Sequence, residues 1–178
     1  MALPDYIEIT QGTSSIVWGE SGGSGVTHAL RVNNLTNGSA CQGDLADLGT
    51  NFSDEYIVQL FVETGATAPT AGTTYDVHLV SSPTNTNLPA KASGSSGSYT
   101  LGTNDANLRQ AGPPTIVLVA TADANTVLRQ QPVIWRPRGR YVAPIFVNRS
   151  GQAVASKTPA SDNATRIILT PRRTVVND

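Results

Sequence analysis

The stretch from Arg140 to Pro171, RYVAPIFVNRSGQAVASKTPASDNATRIILTP, constrains this chain more than any other. It reads as a strand, a turn with a Ser-Gly corner, a loop, and a final strand closed by proline. In the first strand Tyr141, Ala143, Ile145 and Val147 share one face, while Val142, Pro144 and Phe146 share the other. Successive strand residues point to opposite sides of a sheet, so apolar residues on both faces require cover on both, as in the core of a sandwich. Pro144 has no ladder donor, which puts that stretch at an edge or a bulge. No catalytic group stands out in the segment.

The remaining strands are short and evenly spread. Tyr6–Thr10 and Ser14–Trp18 flank a Gln11-Gly12 turn. Val26–Val32 alternates, with Val26, His28, Leu30 and Val32 on one face. Tyr56–Glu63 is apolar on both faces, Thr73–Ser81 puts Tyr75, Val77 and Leu79 inward, and Thr115–Thr121 is a β-branched and aliphatic run. Val127–Trp135 precedes the strands at Arg140–Val147 and Thr165–Thr170. Turns rich in Gly, Pro, Asn, Asp and Ser separate them, a spacing that favours a sandwich or barrel over βαβ units. The best helical turn is Cys41–Leu48. Eight or nine strands fit an all-β, antiparallel β-sandwich of jelly-roll type, with an immunoglobulin-like sandwich as the competitor.

With 178 residues, 39% apolar and 14% charged, the chain is expected to form one domain over residues 1–178 with a sufficient core. An N-terminal arm (about 1–13) precedes it. A long loop (about 82–114) is rich in Ser and Gly; loops of that length are functional, mobile or packed against something, and a neighbouring subunit is the simplest cover. Cys41 is the sole cysteine, read as a small buried residue, so no intrachain disulfide can form. Without a basic stretch and apolar run at the start, synthesis in a reducing cytoplasm is expected, and no window reaches the length of a membrane span. The Asn-x-Ser/Thr triplets at Asn34, Asn37, Asn51, Asn148 and Asn163 are then chance products of composition.

Charge is lopsided. Up to Asn107 there are two basic residues against ten acidic, a net of −8; from Leu108 onward there are ten basic against three acidic, a net of +7. Either the two halves interleave and the charges become cross-strand pairs, or the surface is polarised toward a partner. The dense feature is the arginine series Arg129, Arg136, Arg138, Arg140 and Arg149, read as a protein-binding surface because guanidinium forks carboxylates. A net charge of −1 and the lack of an aromatic platform count against nucleic acid.

Two other constellations invite chemistry. Gly19-Glu20-Ser21-Gly22-Gly23 matches G-x-S-x-G, but a strand follows it where a nucleophile elbow needs a helix. Asp76 and His78, on one face of one strand, are also poorly disposed to orient an imidazole toward Ser21. His28, His78 and Asp76 would make an incomplete metal site without a His-x-His pair. The expectation is therefore no catalysis, no metal and no cofactor.

The RYVAPIFVNRSGQAV…ATRIILTP layout resembles the closing strands of small jelly-roll proteins on tailed-bacteriophage capsids, the decoration or cement class. The YIVQLFVETG…TTYDVHLVSS segment is similar to the middle of that class, and the likeness spans about half of the chain. It implies a virion protein on the capsid surface, contacts with the major capsid protein and with copies of itself as a trimer, and no cofactor. The alternative is a receptor- or glycan-binding tail-fibre or spike module. That reading needs exposed aromatics, for which Trp18, Trp135, Tyr99 and Tyr141 are the candidates and Tyr99, on the long loop, is the best placed.

Overall fold

Two β-sheets face each other across an apolar core. The computed structural model describes residues 7–11, 14–86, 88, 96–99 and 106–176. In chain order, the first sheet contains β1 (Ile7–Gln11), β2 (Ile16–Gly19), β3 (His28–Ala29), β6 (Glu55–Glu63), β10 (Val127–Arg129), β11 (Val133–Trp135) and β13 (Arg166–Val176). The second contains β4 (Ala40–Gln42), β5 (Ala46–Asp47), β7 (Thr74–Ser82), β8 (Gly97–Tyr99), β9 (Ile116–Val119) and β12 (Tyr141–Arg149). Among the described residues, helix is limited to α1 (Ala106–Ala111) and one 3₁₀ turn, Ala160–Asp162. The expected all-β class holds, and every pairing is antiparallel except the short β2–β3 contact.

Several short strands lie end to end. β1 and β2 both pair with β13, β10 and β11 with β6, and β4 and β5 with β12. Joined in this way, the first sheet runs β10/β11, β6, β13, β1/β2, β3, and the second runs β8, β4/β5, β12, β7, β9. Trp18, Tyr56, Val58, Leu60, Val62, Tyr75, Val77, Val142, Phe146, Ile167 and Leu169 fill the space between them.

The doubly apolar strand is β12, and both its faces are covered. Val142 and Phe146 join the central core, while Ala143, Ile145 and Val147 form a second apolar layer with Val80, Leu108, Leu88 and Ala111. That outer layer is supplied by the long loop. Its described parts carry β8, which pairs with β4, and α1, whose Leu108 lies on the outer face of the second sheet. The described parts of the loop thus pack on their own chain and bury the Ile145 face. Likewise, the described part of the N-terminal arm is β1, paired to β13.

Proline placement bears out one expectation and corrects another. β12 is an interior strand, not an edge, and Pro144 sits at a bulge. Its carbonyl accepts from the amide of Gly43 at 2.9 Å, so its nitrogen faces the same neighbour, where β4 and β5 are interrupted. Pro171 does not close β13. The carbonyl of Arg172 takes the hydroxyl of Ser53 on the β6 side, so alternation turns the nitrogen of Pro171 to the other side. There the edge is broken between β1 and β2.

Three strand expectations shift. Cys41–Leu48 is not a helical turn, because β4 and β5 are needed beside β12. The Val26–Val32 segment keeps only His28–Ala29 as strand: β2, its partner, runs out at the Glu20–Ser21 turn. Tyr6–Thr10 and Ser14–Trp18 do not pair across a turn; they line up along β13, and Tyr6, Gly12 and Thr13 lie outside the described residues.

Candidate functional site

The arginines of the series do not form one surface. Arg140 forks Asp47, with Nε to Oδ1 and a terminal nitrogen to Oδ2 both at 2.6 Å, and its guanidinium lies 5.2 Å from the centre of the Tyr141 ring. This pairing holds the Asp47 carboxyl below its usual range and raises the guanidinium. Arg149 reaches Asp76 at 3.2 Å, and Arg136 reaches Glu55 at 2.5 Å. Arg129 lies over the Phe61 ring at 5.5 Å, with Arg166 5.7 Å from the same ring. Tyr99 sits on β8, away from the series in the strand order, beside Ala40 of β4.

The same pairs settle the charge asymmetry. Each ion pair among the described residues joins an acid of the first half to a base of the second: Glu55 with Arg136 and Arg172, Asp47 with Arg140, Asp76 with Arg149, and Glu63 with Lys157. The halves interleave in space, because β12 and β13 insert beside strands from the first half. The charges become internal pairs rather than two electrostatic ends.

Arg138 differs from its neighbours. Its amide donates to the hydroxyl of Ser81 at 2.9 Å, and its side chain is exposed without an ion pair or hydrogen bond among the described residues. It lines a lateral cavity of about 500 Å³ together with Arg109, Arg136, Ile134, Trp135, Leu79 and Pro113–Pro114. The cavity has a local cause. β7 extends from Thr74 to Ser82, but β9 pairs only with Thr74–Val77. Pro113 and Pro114 cannot extend that ladder, so the chain turns away and leaves β7 uncovered beyond Thr115. Gly112, at φ +80°, takes the left-handed conformation that ends α1. Arg109, which sequence reading passed over, is carried to the rim by this turn; the Pro-Pro pair was the available signal.

Ser21, His78 and Asp76 are not brought together. Ser21 is exposed in the turn after β2, in the first sheet, while His78 and Asp76 lie on the outer face of the second. Asp76 is engaged by Arg149. His78 Nδ1 is 3.1 Å from the carbonyl of Gly112, a contact that requires a protonated Nδ1. Burial lowers the pKa of His78, with the Gly112 bond and Asp76 acting against that shift. His28 belongs to the other sheet, where its ring tilts against Trp18 at 5.9 Å and burial again lowers its pKa. Among the described residues no three His, Cys, Asp or Glu side chains cluster as metal ligands.

Cys41 is buried and free, and its thiol is pushed up to about 11 by burial. Of the aromatic candidates, Trp18 is fully buried and donates its indole N–H to the carbonyl of Asp44 at 2.8 Å. Trp135 is half-buried against Tyr56, and Tyr141 is half-buried under Arg140. No helix among the described residues is long and apolar enough to cross a membrane. Comparison with family models, curated proteins and solved structures gives no match to this chain.

Proposed function

We propose that this chain is a structural virion protein of a tailed bacteriophage, a jelly roll that decorates and cements the capsid through non-covalent contacts. One observation carries the finer fold: the strand connectivity. With the end-to-end pieces joined, eight strands in chain order are β1/β2, β4/β5, β6, β7, β9, β10/β11, β12 and β13. The first pairs with the eighth, the second with the seventh, the third with the sixth and the fourth with the fifth. These are the rungs of one long hairpin. The remaining pairings, eighth with third and seventh with fourth, are those that form when such a hairpin is rolled up. This connectivity supports reading the fold as a jelly roll of two Greek keys.

A fold alone assigns no function. The decoration reading adds the resemblance of the closing strands to capsid cement proteins, and the trimer rests on that resemblance alone. Arg136, Arg140 and Arg149 are engaged within the chain, so the proposal does not assign partner contacts to them. Arg109, Arg138 and the exposed apolar side chains of Val117, Val119 and Ile134 are among the described residues open to a partner. Many weak contacts on a symmetric shell sum to firm retention.

The test is to add purified protein to capsids lacking it and to sediment the mixture. Saturable co-sedimentation at a simple ratio to the capsid subunit, with less DNA loss on heating, is the expected result. Protein that stays in the supernatant at every concentration overturns the proposal.

A further inference from the structure

We propose that the lateral cavity beside β11 binds an extended acidic peptide of a partner protein, with a carboxylate seated between Arg109 and Arg138. The proposal does not depend on whether that partner is a capsid subunit.

Charge carries the first step. Three guanidiniums line the cavity, and no carboxylate is among its described lining residues. Arg136 is already matched by Glu55. Arg109 and Arg138 have no ion pair or side-chain hydrogen bond among the described residues. Two unmatched guanidiniums on one concave surface set up a positive potential that a carboxylate relieves, and the planar fork suits its two oxygens.

Shape and backbone carry the second. About 500 Å³ is within the range of binding clefts rather than of packing defects. Ile134 is 55% exposed on β11, with Leu79, Pro113 and Pro114 completing an apolar wall. β11 pairs with β6 on one side and, among the described residues, has no strand on the other, so among them its outer backbone edge is open for strand addition. A peptide laid along β11 would alternate its side chains, one apolar residue against Ile134 and the next acidic residue toward the guanidiniums. Nucleic acid and acidic sugar fit less well: the one aromatic among the described lining residues, Trp135, is half-buried against Tyr56 and offers no open stacking platform.

The experiment measures fluorescence anisotropy of a labelled synthetic peptide alternating glutamate and leucine, titrated with the full chain. A glutamine-for-glutamate peptide, a single-stranded oligonucleotide and a uronic-acid oligosaccharide serve as competing probes. The variants are Arg109→Ala, Arg138→Ala and the Arg109→Glu/Arg138→Glu double, with Arg129→Ala as a change outside the cavity. These side chains are exposed or make no bonds within the fold, so melting temperatures near that of the parent confirm folded variants. The expected result is saturable binding of the acidic peptide, weakened about tenfold or more by each cavity substitution, as for loss of a charge-assisted hydrogen bond, and unchanged by Arg129→Ala. Absence of peptide binding to the parent, equal binding by the double variant, equal binding of the glutamine peptide, or arginine-dependent binding of only the oligonucleotide or sugar each overturn the proposal.

Discussion

Pro144 shows how single residues position this fold. It is tolerated inside an interior strand because its neighbour opens at Gly43, and Gly43 is small for the same reason: a Cβ there would stand 2.7 Å from Pro144 Cγ and 2.9 Å from Trp18 Cδ1. Gly139 is tighter still, with an added Cβ 2.2 Å from the backbone carbonyl carbon of Ser82. A side chain can yield and a packed strand cannot. Gly43→Ala is therefore expected to cost about 1–3 kcal/mol in urea unfolding, and Gly139→Ala more than Gly43→Ala. Equal, small losses for both would show that the β7 end relaxes freely.

His78 adds a pH dependence. Its folded pKa lies below the unfolded value near 6.5, so the unfolded chain takes up a proton first as pH falls. Its contribution is full above about pH 6.5 and is lost as pH drops toward and through the lowered folded value. His28 is shifted in the same direction. Melting temperature should fall between about pH 7 and pH 5, and His78→Gln should flatten the profile more than His28→Gln. Asp76 and Arg149 flank His78 with opposite effects, so a profile unchanged in His78→Gln would assign the dependence elsewhere.

At the scale of elements, the outer face of β12 and its cover form a unit. Ile145 is fully buried, and Leu108 of α1 is 5% exposed on the same layer. Ile145→Ala should destabilise by about 2–5 kcal/mol, and Leu108→Ala by less, since α1 lies nearer the surface. Hydrogen exchange is the sharper readout for Leu108→Ala: protection should drop across α1 and β8 while β6 and β13 keep theirs. A uniform loss would mean that the loop is not a separable cover.

The long strands were legible because their signals are long. Tyr56–Glu63, Thr73–Ser81 and Arg140–Val147 fall within one or two residues of β6, β7 and β12, and the two-faced burial of β12 followed from its apolar alternation. What eluded the sequence was local structure set by partners. β4 and β5 are two or three residues long and exist because β12 needs a neighbour; α1 follows from the demand of the Ile145 face, not from a periodicity of its own. The arginine series was legible as chemistry but not as placement, since the carboxylates that Arg136, Arg140 and Arg149 meet are set by register across more than fifty residues of sequence. Asn148, in an Asn-x-Ser triplet, is fully buried and bonded to the carbonyls of Leu35 and Gln152, a structural role that its triplet did not suggest.

For the whole molecule, β12 and β13 insert beside strands of the first half, which places acidic residues of that half against basic residues of the second. The basic partners are exposed or partly so, while Asp76 and Glu63 are themselves buried, and pairs open to solvent on one side contribute little each. Raising salt from low to about 1 M should therefore lower the urea midpoint only slightly. A collapse of stability would instead make those pairs the main bond between the halves.

The central claim is that this chain covers a viral shell. Quantitative mass spectrometry of purified particles, counting copies of this chain per major capsid subunit, tests it most directly. The account predicts a ratio near one or a simple fraction of it. A few copies per particle would move the chain to a tail or a vertex, and its absence from particles would contradict the account.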